Sequence, residues 1–254
     1  MQYLSTLTPG EILLLTKETV TQKEILKITF VDLLFKKVLK TYEVDRRPSA
    51  RDEIRTYQYV AIGENFDKYV SLNHERIFLS TFAHDKSAEI LFRNLVKIGF
   101  QKSKTLSDLK NDIIKTPNLK SCFVQNIFQR IFYGYSFTEY GIELKKKLQT
   151  EIQHNGNELS DIENVANHKI VELIKIIGGN IFLIINIDHD LLAQIDKELG
   201  IEINKNSTYS GDNGCSGCAS TWEHYSSDFD SGCSGDNGCG GDSGCSGCGG
   251  CGGD

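Results

Sequence analysis

The residues best suited to chemistry in this sequence are cysteines near its C-terminus. Seven of the eight cysteines lie in residues 211–254, and a glycine precedes each of them: Cys215, Cys218, Cys233, Cys239, Cys245, Cys248 and Cys251. A thiol can bind a soft metal, attack a substrate or be modified by an enzyme. The same segment has seven acidic side chains and no lysine or arginine. Because carboxylates disfavour the thiolate, we expect these thiols to be poor nucleophiles.

Two explanations of the cysteine spacing remain, and they make different use of the glycines. Cys215 and Cys218 have a spacing that chelates Zn²⁺ or Cu(I), as do Cys245, Cys248 and Cys251. A metal is indifferent to the residue before its ligand, whereas an enzyme acting on the Gly-Cys peptide unit gains from an unhindered glycine carbonyl. The constant glycine therefore favours a tail that is an enzyme substrate. Copper or zinc binding by an unmodified tail is the alternative.

The tail and the rest of the chain differ in charge and in apolar content. The chain carries a net charge of −6 and residues 211–254 carry −7, which leaves +1 for residues 1–210. Glycine, serine and aspartate bury too little apolar surface to offset the entropy of ordering a chain. We therefore predict a disordered Gly/Cys-rich tail at 206–254, carried by a nearly neutral body that is large enough for a hydrophobic core.

A winged-helix-like unit is predicted over residues 1–70. Its first helix begins at the capping residue Thr8, and a second helix extends from Gln22 to residue 40 with helical periodicity. Strands at 42–44 and 56–62 follow. Two helices and then a two-stranded wing is the element order of a winged helix.

The pattern recurs in a second helical or winged-helix-like unit at 71–155. Its predicted helices are at 74–82, 86–98 (closed by Gly99), 106–114, 119–133 and 139–153. A C-terminal helical segment at 156–205 follows, with helices at 160–177 and 188–199 and an apolar strand at 182–187. The predicted fold class is therefore mainly α, with small sheets (α+β).

The first unit also provides the candidate binding residues of the body. The side chains predicted to dock a partner are aromatic or basic: Phe30, Phe35, Lys36, Lys37, Arg46 and Arg47. Since winged helices often bind DNA, a DNA-binding regulator with a metal-sensing tail is a further alternative. The apolar run at 30–35 leaves only a narrow polar face, which suits a protein partner better than nucleic acid. The body has no phosphate-binding glycine loop or nucleophile elbow, so we predict no catalytic residue and no cofactor there.

The predicted location is the cytoplasm. The N-terminus lacks the basic and apolar regions of a signal peptide, and the apolar runs are far shorter than the ~20 residues of a membrane span. A single cysteine among residues 1–210, Cys122, is typical of a reducing compartment. We expect Cys122 to be a small buried apolar residue.

Several stretches carry a family resemblance: Leu-Thr-Pro-Gly-Glu-Ile-Leu-Leu-Leu at 7–15, then 30–39, 74–82, 89–99, 137–141 and 172–183, followed by the tail. Together they resemble an uncharacterised bacterial family that joins a partly duplicated, winged-helix-like region to a Gly/Cys-rich C-terminus. Many of its members have transmembrane segments, which this sequence lacks. Members tend to be encoded near multinuclear non-heme iron oxidases that alter cysteines in peptide substrates. The resemblance implies a non-catalytic precursor whose body, residues 1–205, docks such an enzyme.

Overall fold

The computed structural model describes four stretches of the chain: residues 2–47, 53–125, 134–160 and 176–184. For the last three residues of the third stretch, only the backbone is described. Three predicted elements lie outside the described residues, namely the tail at 206–254, the helix at 188–199 and most of the helix at 160–177.

Both early helices begin with a capping box. Thr8 Oγ1 accepts a hydrogen bond from the Glu11 N–H (3.4 Å), and the Glu11 carboxylate accepts one from the Thr8 N–H (2.8 Å). The first helix, α1 (Pro9–Thr16), therefore starts where the sequence predicted. The second, α2 (Gln22–Phe35), starts in the same way at Thr21. Each box satisfies two backbone N–H groups that a helix start would otherwise leave unpaired.

The second helix ends before the predicted residue 40 because the chain turns into a strand. Lys37 has a positive φ of 53°, and β1 (Leu39–Arg46) follows it. Gly63, at the other side of this turn, lies against the Lys37 carbonyl, where a Cβ would come within 2.1 Å of the oxygen. Only glycine allows two backbone segments to approach so closely.

The predicted strand pair is confirmed, and it is longer than predicted. β1 forms an antiparallel hairpin with β2 (Arg55–Ile62), in which Leu39 is opposite Ile62 and Arg46 is opposite Arg55. A short third strand, β3 (Ile90–Leu91), adds to the other edge of β2, so the sheet order is β1-β2-β3.

The helix predicted at 86–98 is wrong in position. Strand β3 occupies part of it, and the helix that follows, α4 (Phe92–Lys102), continues through Gly99. Gly99 lies inside the helix rather than at its end, and it allows the Phe78 ring to pack closely against the helix backbone. A Cβ at this position would be 2.7 Å from the Phe78 ring.

Two neighbouring predictions had different outcomes. The helix predicted at 74–82 is only a single turn, α3 (Arg76–Leu79). The helix predicted at 106–114 is confirmed as α5 (Leu106–Ile114), which begins with a capping box at Thr105.

The helix predicted at 119–133 is wrong wherever the structure describes it. Residues Phe123–Val124 form β4, which pairs with β5 (Ser136–Phe137). The Phe123 ring lies 4.8 Å from the Phe137 ring and 5.1 Å from the Tyr135 ring, centroid to centroid. Cross-strand aromatic pairing therefore prevails over the helical periodicity of the sequence.

The last described elements are helical. α6 (Glu139–Ser160) begins where predicted, with the Thr138 hydroxyl accepting from the Gly141 N–H (3.0 Å), but it continues past residue 153, and Asn155 donates a side-chain hydrogen bond to the Glu151 carbonyl (2.6 Å). A 3-10 turn is followed by α7 (Ile181–Ile184), which is helical where a strand was predicted at 182–187, and the rest of that predicted strand lies outside the described residues.

One hydrophobic cluster includes residues from both predicted units. The Phe30 ring lies 5.6 Å from Phe78 and 5.0 Å from Phe92, and the cluster extends from Leu4 to Ile181. The fold is mainly helical with small sheets, as predicted. Within the described stretches, no helix combines the length and the apolar character needed to cross a bilayer.

Candidate functional site

The residues predicted to dock a partner do not share one surface. Phe30 is fully buried in the core, so it has no surface to offer in this structure. Phe35 is half-buried, and its ring packs 5.4 Å from the Phe182 ring of α7. Both side chains therefore hold α2 against its neighbours.

Lys36 belongs to a polar network at the C-terminal end of α2. Its ammonium lies 2.6 Å from the Asp32 carboxylate and 3.1 Å from the Tyr69 hydroxyl, which donates to Glu75 (2.7 Å). The Gly179 N–H donates to Asp32 from the other side (3.3 Å). Asp32 and Glu75 are buried. This network connects α2 to the residues before α3 and to the turn before α7.

The charges of this network depend on one another. Burial disfavours the charge on Lys36, but Asp32, Tyr69 and Glu75 together outweigh that effect and raise the pKa of Lys36. Burial raises the pKa of Asp32, although the Lys36 ammonium opposes the shift. The sequence contains a signal for this pair, since Asp32 is the one acidic residue in an apolar run and precedes Lys36 by a helical turn. From the sequence alone, Lys36 was predicted to dock a partner instead.

The remaining three docking candidates are exposed but lie apart. Lys37 is in the turn before β1, where it pairs with Glu64 (3.0 Å). Arg46 and Arg47 lie at the far end of the hairpin. Strand β1, which separates Lys37 from the two arginines, spans about 23 Å, at ~3.3 Å per residue. Lys37 therefore does not belong to the same patch as the two arginines.

The two arginines adjoin a basic and aromatic surface on the hairpin. The residues of one hairpin face follow from the antiparallel register, and we call them the outer hairpin face: Lys40, Tyr42, Val44, Arg46, Arg55, Tyr57 and Tyr59. All of these are exposed or half-buried, whereas Ala61, which the register places opposite Lys40, is buried. Of the alternate residues, those near the base of the hairpin, including Leu39, Thr41 and Val60, are buried towards the core. The hairpin thus has one packed face and one that is open to a partner.

The outer hairpin face has the composition of a binding surface. Tyr42 and Tyr59 stack with centroids 5.8 Å apart, and the Arg46 guanidinium lies 5.4 Å from the Tyr59 ring centre. Arg46 is directly opposite Arg55, and neither is paired with a carboxylate among the described residues. Like charges opposite each other destabilise a hairpin, so folding alone does not account for this pair. Burial raises the pKa of Tyr42, and the Glu89 carboxylate adds to the shift, so its phenol stays protonated at neutral pH.

The cysteines predicted to be modified or to bind metal are all outside the described residues. Cys122 is described, and it is fully buried, as predicted. Its thiol lies 3.7 Å from the Asn118 carbonyl, and burial raises its pKa. Cys122 is therefore an unreactive core residue.

A second buried polar cluster was not predicted from the sequence. The Glu11 carboxylate, already used in its capping box, also accepts hydrogen bonds from the Thr116 hydroxyl (2.5 Å) and the Asn118 amide (3.2 Å). His74 is almost fully buried nearby, and its Nδ1 has no hydrogen-bond partner in the described part of the chain. Burial lowers the pKa of His74 to about 4, against the opposing charge of Glu11. The imidazole is therefore neutral at physiological pH.

The described residues contain no group of three or more histidine, cysteine or acidic side chains that could hold a metal ion. No protein-family model, curated protein or solved structure matches the chain.

Proposed function

We propose that this chain is a non-catalytic precursor whose Gly-Cys tail is modified by a partner enzyme that docks on the folded body. The observation that carries the proposal is the glycine before each of the seven tail cysteines, in a segment without a single basic residue. Metal binding does not require that glycine, whereas an enzyme acting at the Gly-Cys peptide unit benefits from it. The family resemblance makes the partner an iron-dependent oxidase.

The outer hairpin face is the docking surface that we propose for this enzyme. Tyrosine and arginine dominate the energetics of protein interfaces, and this face presents Arg46 and Arg55 beside three tyrosines. An acidic group of the enzyme placed between the two guanidiniums would relieve their repulsion. We therefore expect the enzyme to present a carboxylate to this end of the hairpin.

The test is co-expression of the full chain with a multinuclear non-heme iron oxidase of the kind encoded near members of the resembled family, followed by intact-mass measurement. The wild type is expected to change mass at its Gly-Cys units. The Arg46→Glu/Arg47→Glu variant is expected to be modified at least about tenfold more slowly, because each lost charge-assisted contact is worth roughly 1.5–3 kcal/mol. Lys68→Glu/Lys146→Glu changes two exposed charges away from the hairpin, and it is expected to behave as the wild type. Equal modification of all three proteins would reject the docking surface.

A second candidate is metal binding by an unmodified tail, which the Cys-x-x-Cys spacings of the tail favour. It predicts copper or zinc bound to the full chain purified without the oxidase. Replacing the seven tail cysteines with serine should then remove the metal. Metal content that is the same in both proteins would exclude this candidate.

We further propose that α1, α2 and the hairpin constitute a winged-helix-like unit, that residues 71–155 are a second such unit, and that the protein acts in the cytoplasm. The element order supports the first unit, and the low cysteine content of residues 1–210 supports a reducing compartment. If the hairpin bound DNA instead of an enzyme, the full chain would bind duplex DNA at low salt, and its affinity would fall as salt is added.

A further inference from the structure

The tail contains one stretch that differs from its repeats. Residues 219–230, which we call the acidic spacer, lie between Cys218 and Cys233 and contain no cysteine. They include three acidic residues and every Phe, Trp and Tyr of residues 211–254: Trp222, Glu223, Tyr225, Asp228, Phe229 and Asp230. The Gly-Cys repeats on both sides have no apolar side chain of comparable size. A charged, aromatic stretch inside such repeats has the composition of a binding segment.

The body has a groove of matching charge along α5, on residues other than those of the hairpin. The groove has a volume of about 390 Å³ and is lined by four exposed cationic side chains: Arg76, Lys102, Lys104 and Lys115. Two acidic residues also line it, Asp108 and Asp112, of which Asp108 is engaged in the capping box of α5. The groove therefore has an excess of positive charge.

The cations of this groove lack acidic partners. The Lys102 ammonium donates to the hydroxyls of Ser80 and Thr81, both at 2.9 Å, and partial burial lowers its pKa. Arg76 donates to the Ser71 hydroxyl (3.3 Å). Across the described stretches, none of the four cations is within ion-pair distance of a carboxylate. An incoming carboxylate would thus meet cations that have no ion pair among the described residues, and one of them, Lys102, is partly desolvated.

We propose that the acidic spacer of the same chain binds in this groove, with Asp228 and Asp230 facing its cations. The nine residues of α5 span about 13 Å, which four or five residues of extended chain cover. Asp228 and Asp230 fit within that length. Residues 185–218 are ample to connect the last described residue, Ile184, to the groove. Docking by a segment without cysteine leaves the Gly-Cys units on both sides accessible.

The chain carries its own probe for this contact, because Trp222 is its one tryptophan. The experiment measures acrylamide quenching of Trp222 fluorescence in the full chain, without any partner enzyme. In the wild type, the quenching constant is expected to be low in dilute buffer and to rise about twofold when ~1 M salt screens the charges. Because no enzyme is present, a negative result here would leave the modification proposal standing. Failure of the modification experiment would likewise leave the groove proposal standing.

Variants on both sides of the contact complete the test. The groove variant Lys102→Glu/Lys104→Glu/Lys115→Glu should show high quenching at every salt concentration. Its matched control, Lys68→Glu/Lys97→Glu/Lys146→Glu, has the same charge change elsewhere and should resemble the wild type.

The spacer variant Glu223→Gln/Asp228→Asn/Asp230→Asn leaves the body unaltered, so its folding is not in question. It should reproduce the groove variant, whereas Asp212→Asn/Asp236→Asn/Asp242→Asn, in the repeats, should not. Quenching that is the same in the wild type and the spacer variant would overturn the proposal. Quenching that depends on protein concentration would also overturn it, because the spacer would then bind a second copy.

Discussion

The C-terminal end of α2 and the outer hairpin face contain similar side chains in opposite surroundings. Lys36 lies in a buried network with Asp32, Tyr69 and Glu75, whereas Arg46 lies on the surface above Tyr59 and opposite another arginine. A cation near an aromatic ring thus stabilises the fold at one end of β1, whereas a similar cation at the other end lies open on the surface. Burial, rather than residue type, therefore separates the cation that stabilises the fold from the cation that lies on the surface of this body. Each variant below tests one side of this comparison.

The largest expected effect is on the packed side. Phe30→Ala should lower the free energy of unfolding by about 3–5 kcal/mol, because it leaves a cavity between Phe78 and Phe92. Phe35→Ala, on the same helix but half-buried, should cost about 1–2 kcal/mol. Urea unfolding of the two variants measures the difference. Equal losses would mean that the two rings are equally important to the core.

Neighbouring lysines provide the next test. Lys36→Met leaves the buried Asp32 and Glu75 carboxylates without their cation, and we expect a loss of about 3 kcal/mol. Lys37→Met removes an exposed ion pair with Glu64, which is worth roughly 0–1 kcal/mol. The midpoints of urea unfolding at neutral pH report both values. If Lys37→Met cost as much as Lys36→Met, the network would not be the structural element described above.

The buried His74 should make the stability depend on pH. Its pKa is lowered from 6.5 to about 4 in the folded protein, so only the unfolded chain takes up a proton as the pH falls from 6.5 to 4. The stability contributed by the neutral imidazole is present above pH 6.5 and is lost over this range, by about 3 kcal/mol. Glu11 and Lys36 are the charged groups that influence it.

Urea unfolding of wild type and His74→Gln at pH 7, 5 and 4 checks this prediction. The difference in stability between the two proteins should shrink as the pH falls. His84→Gln is the matched control, because His84 is exposed and its replacement should leave the pH profile unchanged. A constant difference between wild type and His74→Gln would contradict the prediction.

The smallest effect on stability is expected on the outer hairpin face. Arg46→Glu replaces a like-charge pair with an ion pair to Arg55, while it gives up the contact with Tyr59. The free energy of unfolding should therefore stay within about 0.5 kcal/mol of the wild type. The same variant should slow modification of the tail by the co-expressed oxidase. A loss of both stability and modification would assign Arg46 to the fold instead.

Local signals in the sequence predicted part of this fold well. The capping boxes at Thr8 and Thr105 involve residues only three positions apart, so the starts of α1 and α5 could be found directly. The hairpin was also predicted, because β-branched and aromatic residues are frequent in its strands, as in Thr-Tyr-Gln-Tyr-Val-Ala-Ile at 56–62. These features are determined by neighbouring residues.

The sequence-based predictions were wrong where contacts between residues distant in the chain determine the structure. Gly99 looks like a helix end, but the Phe78 ring packs against it, twenty-one positions away in sequence. Phe123 lies in a helical pattern, yet it pairs across a short hairpin with Phe137. Lys36 looked like a surface cation because Glu75 and Gly179, which complete its network, are far away in the chain. The groove along α5 was missed for the same reason, since its cations come from three separate segments.

The central claim is that the seven Gly-Cys units are modified by an enzyme. The most direct measurement is the intact mass and free-thiol count of the wild-type chain after co-expression with an iron oxidase of the proposed class, with fragmentation to locate any change. The account predicts an altered mass, fewer than seven reactive thiols in the tail, and changes confined to the Gly-Cys units at 214–251. An unchanged mass with all seven tail thiols free would contradict it.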